Sequence, residues 1–442
     1  MTVAAPPEAR RAPGAAGRLV TDLARRRTVL WAAFAAVHLW LIWINLVGPD
    51  QSMGDVWTVY RQWMQEAVDG GARVGVDRPW VYPLLAAVPM LLARLGGDAH
   101  YGDAWLVVVL ALNAGAFAVL TRRGGGRPLT AAWWWLAFLL ALGPIALGRI
   151  DAVTVPLALV GLLLVATRPL AASVLLTVAA WVKVWPAALV AAALISSRHR
   201  WSVLLGAVAT TAAVVAVSLA LGSGATVLGF VGQQAGRGLQ IESPAATPWL
   251  WRAAAGVAGT AVYYDREILT FQVSGDGVGF AARATTVIMA LVVVGVVLLG
   301  LRARRAGVAA TRLLGPLSLA LTVALIATNK VGSPQFVAWL AVPVVVGLVA
   351  SRPRRDGAGS SAAGTAAGPS FRLAAVVALV VGGLTQVIYP WFYDDLLTVQ
   401  PWMLVVITLR NLGEIVLLVV ACVMLWRLGG VRARGGADRM GA

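Results

Sequence analysis

Four side chains in this sequence have the chemistry to pull a proton from a hydroxyl or to grip a phosphate. The first is Asp55, in MGDVWTVYRQW, a carboxylate a few residues beyond the first long apolar run. There it could act as a general base. Its spacing serves equally well for capping the free N–H groups of a helix that begins at the same point. The next two are lysines. Of 36 basic residues, only Lys183 and Lys330 are lysine, so these positions ask for a compact ammonium rather than for charge alone. Lys183 lies in AAWVKVWPAAL, where Pro186 breaks a helix and frees backbone carbonyls. An ionisable group at membrane depth marks function, although a lysine snorkelling to the interface meets the same pattern. Lys330 lies in ATNKVGSPQFVAWL, where Asn329, Ser333 and Gln335 add donors at a helix start, a setting suited to a phosphate. The fourth is Arg237, set between Gly236 and Gly238 in GQQAGRGLQIES, where backbone can approach a ligand closely. Glu242 in the same stretch has two uses, pairing with Arg237 or accepting from a sugar hydroxyl.

Other charges read as structural. Arg149-Ile-Asp151 joins two apolar runs with almost no loop and is expected to form a local ion pair. Arg410 and Glu414, one helical turn apart inside the last apolar run, are expected to neutralise each other. Asp394 and Asp395 are two adjacent carboxylates, too few by themselves to define a cation site. The histidines His38, His100 and His199 have no metal-ligand spacing. Cys422 has no partner for an internal disulfide. Gly124–Gly126 has neither a Walker pattern nor an adjoining strand, so nucleotide binding is not supported. No metal or cofactor is expected.

The elements that must position these residues are membrane helices. The chain is 60% hydrophobic and 12% charged over 442 residues, a balance that no soluble domain of this size sustains. Its apolar runs fall near 28–47, 81–95, 103–121, 129–148, 151–167, 170–196, 201–221, 280–301, 311–328, 335–350, 371–389 and 402–426. Most are long enough to cross a hydrocarbon core as helices. Alternating ten-residue strands, the mark of a β-barrel, are absent. The net charge of +17 sits in short loops beside the runs, which points to membrane orientation and not to nucleic acid. Placing 81–95 in the interface, and reading 170–196 as two short helices meeting at Lys183–Pro186, puts every arginine-rich loop on one side. Both termini are then cytoplasmic. Segments 48–102, 149–151, 183–186, 222–279, 329–335 and 390–401 gather on the outer face. Residues 55–68 have apolar side chains at helical spacing and are expected to lie on the membrane surface. Residues 1–27 read as a disordered cytoplasmic tail, 28–427 as the membrane domain, 356–370 as a flexible linker and 428–442 as a second tail. The first apolar run lacks a cleavage site and is expected to be retained.

These residues resemble glycosyltransferase family 87, the polyprenyl-phosphate-mannose-dependent mannosyltransferases of the GT-C superfamily. The likeness rests on Asp55 and Tyr60 after the first run, Tyr82-Pro83 opening an apolar helix, Lys183 with Pro186, RGLQIES (237–243) and NKVGSPQ (329–335). Leu84 stands where the family usually has a second proline. The resemblance implies a GT-C fold of about twelve membrane helices with interfacial helices in the first outer loop, its active site facing outward. It further implies a lipid-linked sugar donor, a glycolipid or glycan acceptor of the cell envelope, and Asp55 as base. Lys183, Lys330 and Arg237 would hold the donor phosphate. Tyr60, Tyr82, Glu242, Asn329 and Gln335 would contact substrate. A polyprenyl-phosphate arabinofuranose donor, or a lipid-sugar flippase, is the alternative.

Overall fold

A helix rises about 1.5 Å per residue, so crossing roughly 30 Å of hydrocarbon takes about twenty residues. By that measure the expected runs divide into two kinds. In the computed structural model, which describes residues 26–48, 52–122, 126–351 and 370–437, seven helices are long and apolar enough to span: Arg27–Val47, Tyr101–Thr121, Arg200–Ala220, Val278–Arg305, Ala310–Ala327, Arg372–Trp391 and Pro401–Gly430. The other five runs form shorter helices, and 170–196 is indeed two of them, Pro169–Val182 and Ala187–Ser196. The chain is an all-α polytopic membrane protein. The expected tail lies outside the described residues up to residue 25, as do most of the 356–370 linker and residues 438–442.

Short and long helices occupy different places. We label Arg27–Val47 α1, Arg61–Val68 α2, Ala87–Ala93 α3, Tyr101–Thr121 α4, Gly126–Leu142 α5, Asp151–Leu164 α6, Pro169–Val182 α7 and Ala187–Ser196 α8. Arg200–Ala220 is α9, Gly229–Ala235 α10, Thr247–Ala254 α11, Val278–Arg305 α12, Ala310–Ala327 α13, Ala341–Ala350 α14, Arg372–Gln386 α15, Tyr393–Leu397 α16 and Pro401–Ala437 α17. The short α6 is buried over most of its length, and α14 continues a buried 3₁₀ stretch, Pro334–Leu340. The long α9 and α12 turn apolar side chains such as Leu205, Val208, Val287 and Leu291 outward, as helices facing lipid do. At 14 residues, α6 and α7 run about 21 Å each. Asp151 opens α6 and Lys183 follows the last residue of α7, so the two polar ends meet at 2.6 Å.

The polar segments meet at that end. Residues 52–55, 149–151, 183, 237–242, 329–339 and 389–393 are joined by side-chain and backbone contacts. The arginine-rich ends meet elsewhere: Arg27 donates to the Arg122 carbonyl, and Arg304 to the carbonyls of Leu194 and Ile195. One feature of the long loop has no counterpart in the apolar pattern. Residues Ala261–Asp265 (β1) and Thr270–Ser274 (β2) form an antiparallel hairpin. The Asp265 carboxylate accepts from the Glu267 and Ile268 N–H groups and closes its turn.

Candidate active site

Asp55 opens a π-helical turn, Asp55–Tyr60, which runs on into α2. Val56, Tyr60 and Met64 are buried at four-residue spacing, the one-sided pattern expected of this helix. Asp55 is not its cap, since the helix start carries no side-chain capping bond. Its carboxylate instead reaches the Arg149 guanidinium, Oδ2 to Nε 3.2 Å, and keeps 41% of its side chain exposed. Below it the Tyr60 phenol accepts from the Ile150 N–H at 3.3 Å and lies 3.4 Å from the Tyr82 hydroxyl. Tyr60, Trp63, Trp80 and Tyr82 pack their rings together. Burial raises both phenols well above the usual tyrosine range, with the Asp55 charge adding to it. Neither therefore ionises at neutral pH, and both serve as hydrogen-bonding groups.

The expected ion pair within Arg149-Ile-Asp151 does not form. Side chains two apart at a helix start point in different directions, and each charge finds its own partner. Arg149 donates to Ser52 O, to Gly148 O at 3.0 Å and to the Tyr389 hydroxyl at 3.0 Å, besides holding Asp55. Asp151, 1% exposed, accepts from Lys183 Nζ at 2.6 Å and from Trp339 Nε1 at 2.6 Å. One three-residue turn thus grips both the carboxylate from the first loop and the lysine from α7–α8.

Lys183 can reach Asp151 because it leaves α7 in an extended conformation, φ −153° and ψ 135°, ahead of the Pro186 break. Trp185 then stacks on Trp339, with ring centres 5.1 Å apart and planes 7° off parallel. The ammonium faces the rings of Phe336, Tyr82 and Trp339 at 5.0, 5.9 and 5.9 Å. It also feels the charges of Arg237 and Asp55.

Arg237 and Lys330 are brought together by backbone. The Gln240 N–H donates to the Lys330 carbonyl at 3.0 Å, and Gly332 packs directly on the Glu242–Ser243 peptide, where a Cβ would collide. On its other edge the same stretch pairs with β2, through Ile241 N to Phe271 O and Val273 N to Leu239 O. Gly238 lies against the Gln272 side chain with no space for a Cβ. Arg237 Nε is buried without a hydrogen bond to the described residues. Burial holds Lys330 below the usual lysine range, and the nearby Arg237 charge pushes the same way.

Two of the expected substrate contacts, Glu242 and Asn329, are engaged by the protein itself. Glu242 is 2% exposed and turned away from Arg237. It takes Arg410 at 3.3 Å and the Tyr393 hydroxyl at 3.3 Å, and Arg410 also donates to its carbonyl. Arg410 pairs with Glu414 at 2.8 Å as expected, so Glu242 makes that pair a triad. The Asn329 side chain accepts from the Val331 N–H in its own turn. Gln335 starts the stretch carrying Phe336 and Trp339 and makes no hydrogen bond with the described residues. Arg149, Asp151, Trp339 and Tyr389 complete the cluster, and of these only the two charges in the nearly loop-free connection at 149–151 stood out in the sequence. Among the described residues no group of three or more His, Cys, Asp or Glu could hold a metal.

The arrangement sets a part-exposed carboxylate beside cations drawn from four separate segments, Arg149, Lys183, Arg237 and Lys330. It can deprotonate a hydroxyl and stabilise a departing phosphate. The profile of glycosyltransferase family 87 matches residues 80–328, more than half of the chain, and covers Tyr82-Pro83, Lys183 with Pro186 and 237–243 but neither Asp55 nor the 329–335 stretch. No curated protein and no solved structure matches it. On that match, this membrane protein is a glycosyltransferase and belongs to glycosyltransferase family 87.

Proposed function

We propose that the enzyme transfers a sugar, mannose by its family resemblance, from a polyprenyl-phosphate donor to a glycolipid or glycan acceptor of the cell envelope. The observation that carries this reading is the joining of Asp55 to the cationic cluster through Arg149-Ile-Asp151. In the proposed reaction the acceptor hydroxyl oxygen attacks the anomeric carbon. The bond from that carbon to the phosphate oxygen breaks, with inversion. The hydroxyl proton passes to Asp55, and polyprenyl phosphate leaves with an added negative charge. A lipid phosphate leaves readily, so charge stabilisation by Lys183, Arg237 and Lys330 matters more than an acid. Tyr82, whose ring lies 5.9 Å from the Lys183 ammonium, would face the sugar. Because arginine-rich helix ends favour the cytoplasmic side, the site would face outward and work on lipid-borne substrates delivered through the membrane.

The test is transfer by purified enzyme from radiolabelled polyprenyl-phosphate mannose, with polyprenyl-phosphate arabinofuranose and a nucleotide-linked mannose as alternative donors. Product from the first alone supports the full reading, and product from the second reassigns the sugar. Turnover with the nucleotide-linked sugar at an equal rate would overturn it.

A further inference from the structure

The lysine at the centre of the cluster is held in an unusual way. Its side chain is 15% exposed, and three aromatic rings surround the ammonium. Burial of an ammonium disfavours its charged form, and a carboxylate beside it works the other way. The charged groups facing it are Asp151 from α6, Asp55 from the π-helical turn and Arg237 from the long loop, with the Tyr82 phenol ring alongside. Arg237 works against the ammonium. Asp55 is engaged by Arg149, which leaves Asp151 as the carboxylate in hydrogen-bond contact, at 2.6 Å.

The surroundings of Asp151 keep it in place. Its second oxygen takes the Trp339 indole N–H at 2.6 Å. Trp339 is stacked on Trp185, whose own N–H is bonded to Thr154 at 3.0 Å, one turn along α6 from Asp151. Asp151, the two indoles and the threonine form a closed ring of contacts between α6, the α7–α8 break and the stretch before α14, completed by the Thr154 hydroxyl donating to the Asp151 backbone carbonyl at 3.1 Å. A charge-assisted bond from the indole favours the ionised carboxylate. An ammonium has three donors, so Lys183 can keep its bond to Asp151 and still offer two N–H groups to a phosphate.

We propose that Asp151 is a positioning residue for the transfer, holding Lys183 protonated and aimed so that its free donors meet the donor phosphate. This rests on the reading that the cluster binds a lipid phosphate. It adds that the half-buried lysine is competent only through the carboxylate behind it. Asp151 touches neither substrate nor the reacting atoms.

The experiment measures donor KM and kcat from pH 5.5 to 8.5 for wild type, Asp151→Asn, Trp339→Phe and Lys183→Met, each as full-length protein in lipid nanodiscs. The donor is polyprenyl-phosphate mannose. Asp151→Asn is expected to raise donor KM by roughly tenfold to a hundredfold at pH 8, the effect of losing one charge-assisted hydrogen bond. That ratio to wild type should shrink toward one at pH 6, as bulk protons recharge the lysine. Trp339→Phe keeps the stack but removes the indole donor that holds Asp151 in place, and should raise donor KM by a smaller factor across the pH range. It carries the test if Asp151→Asn does not fold. Lys183→Met should raise KM at every pH. A KM ratio for Asp151→Asn that is flat with pH, or wild-type donor KM in Trp339→Phe, beside an impaired Lys183→Met, would overturn the role of Asp151 and leave the phosphate site standing. Wild-type donor KM in Lys183→Met would instead remove the phosphate site itself.

Discussion

Replacing Asp55 by asparagine keeps the size and polarity of the side chain and takes away its capacity to accept a proton. If Asp55 is the base, kcat should fall by about a hundredfold to ten-thousandfold, the usual contribution of a positioned base. At about 1.36 kcal/mol per decade this is roughly 3 to 5 kcal/mol of barrier. The structure limits what the same change can do to stability. The Asp55 side chain is 41% exposed and makes one ion pair, at 3.2 Å. Such a part-exposed pair is screened by solvent and contributes about 1 kcal/mol or less. Arg149 would not be left bare, since it keeps its bonds to Ser52 O, Gly148 O and Tyr389. Catalytic loss should therefore exceed stability loss by several kcal/mol. Initial rates at saturating polyprenyl-phosphate mannose, set beside thermal unfolding of the same detergent-purified protein, separate the two. Turnover within tenfold of wild type in a well-folded Asp55→Asn protein would refute the assignment. A collapse in unfolding temperature matching the loss of rate would make Asp55 a structural residue.

Arg149→Lys keeps the charge but not the guanidinium fork that spans Asp55, Ser52 and Tyr389. It should lower kcat by about tenfold or more and also lower the unfolding temperature, since a buried carbonyl left without its donor costs about 1–3 kcal/mol, as paired kinetic and thermal measurements would read. Gly332→Ala should drive the Lys330 loop off the Glu242–Ser243 peptide. Overpacking of this kind destabilises by about 1–3 kcal/mol, and donor affinity should fall with it in a titration with polyprenyl phosphate. Burial pushes the Glu242 carboxyl up to about 7, against the pull of Arg410. Folding then takes up a proton between the unfolded carboxylate value near 4.5 and 7. Stability from this group is complete below the lower value and declines as pH rises through the window, by at most about 3 kcal/mol. A series of unfolding temperatures from pH 4.5 to 8 should show that decline in wild type and a flatter curve in Glu242→Gln. An unchanged slope would detach Glu242 from it.

Much of the molecule was legible in its amino acids because membrane physics leaves few choices. Run length and low charge dictate helices in lipid, and each expected apolar run became one or more helices. Scarcity singled out Lys183 and Lys330, because a chain that uses arginine almost everywhere else needs a reason for an ammonium. Four-residue spacing placed the helix that carries Asp55. Which charge meets which was decided only by the tertiary structure. Arg149 and Asp151 are two residues apart and part company, one to Asp55 and the other to Lys183. Glu242 passes over its near neighbour Arg237 for Arg410, 168 positions away. The hairpin that pins the 239–241 stretch lay inside a loop with no apolar period to reveal it. Apolar length is a property of consecutive residues, and the chain states it directly. The partner of a buried charge depends on which helix ends the packed bundle brings to the same depth, and that distance exists only once the short helices have taken their places among the long ones.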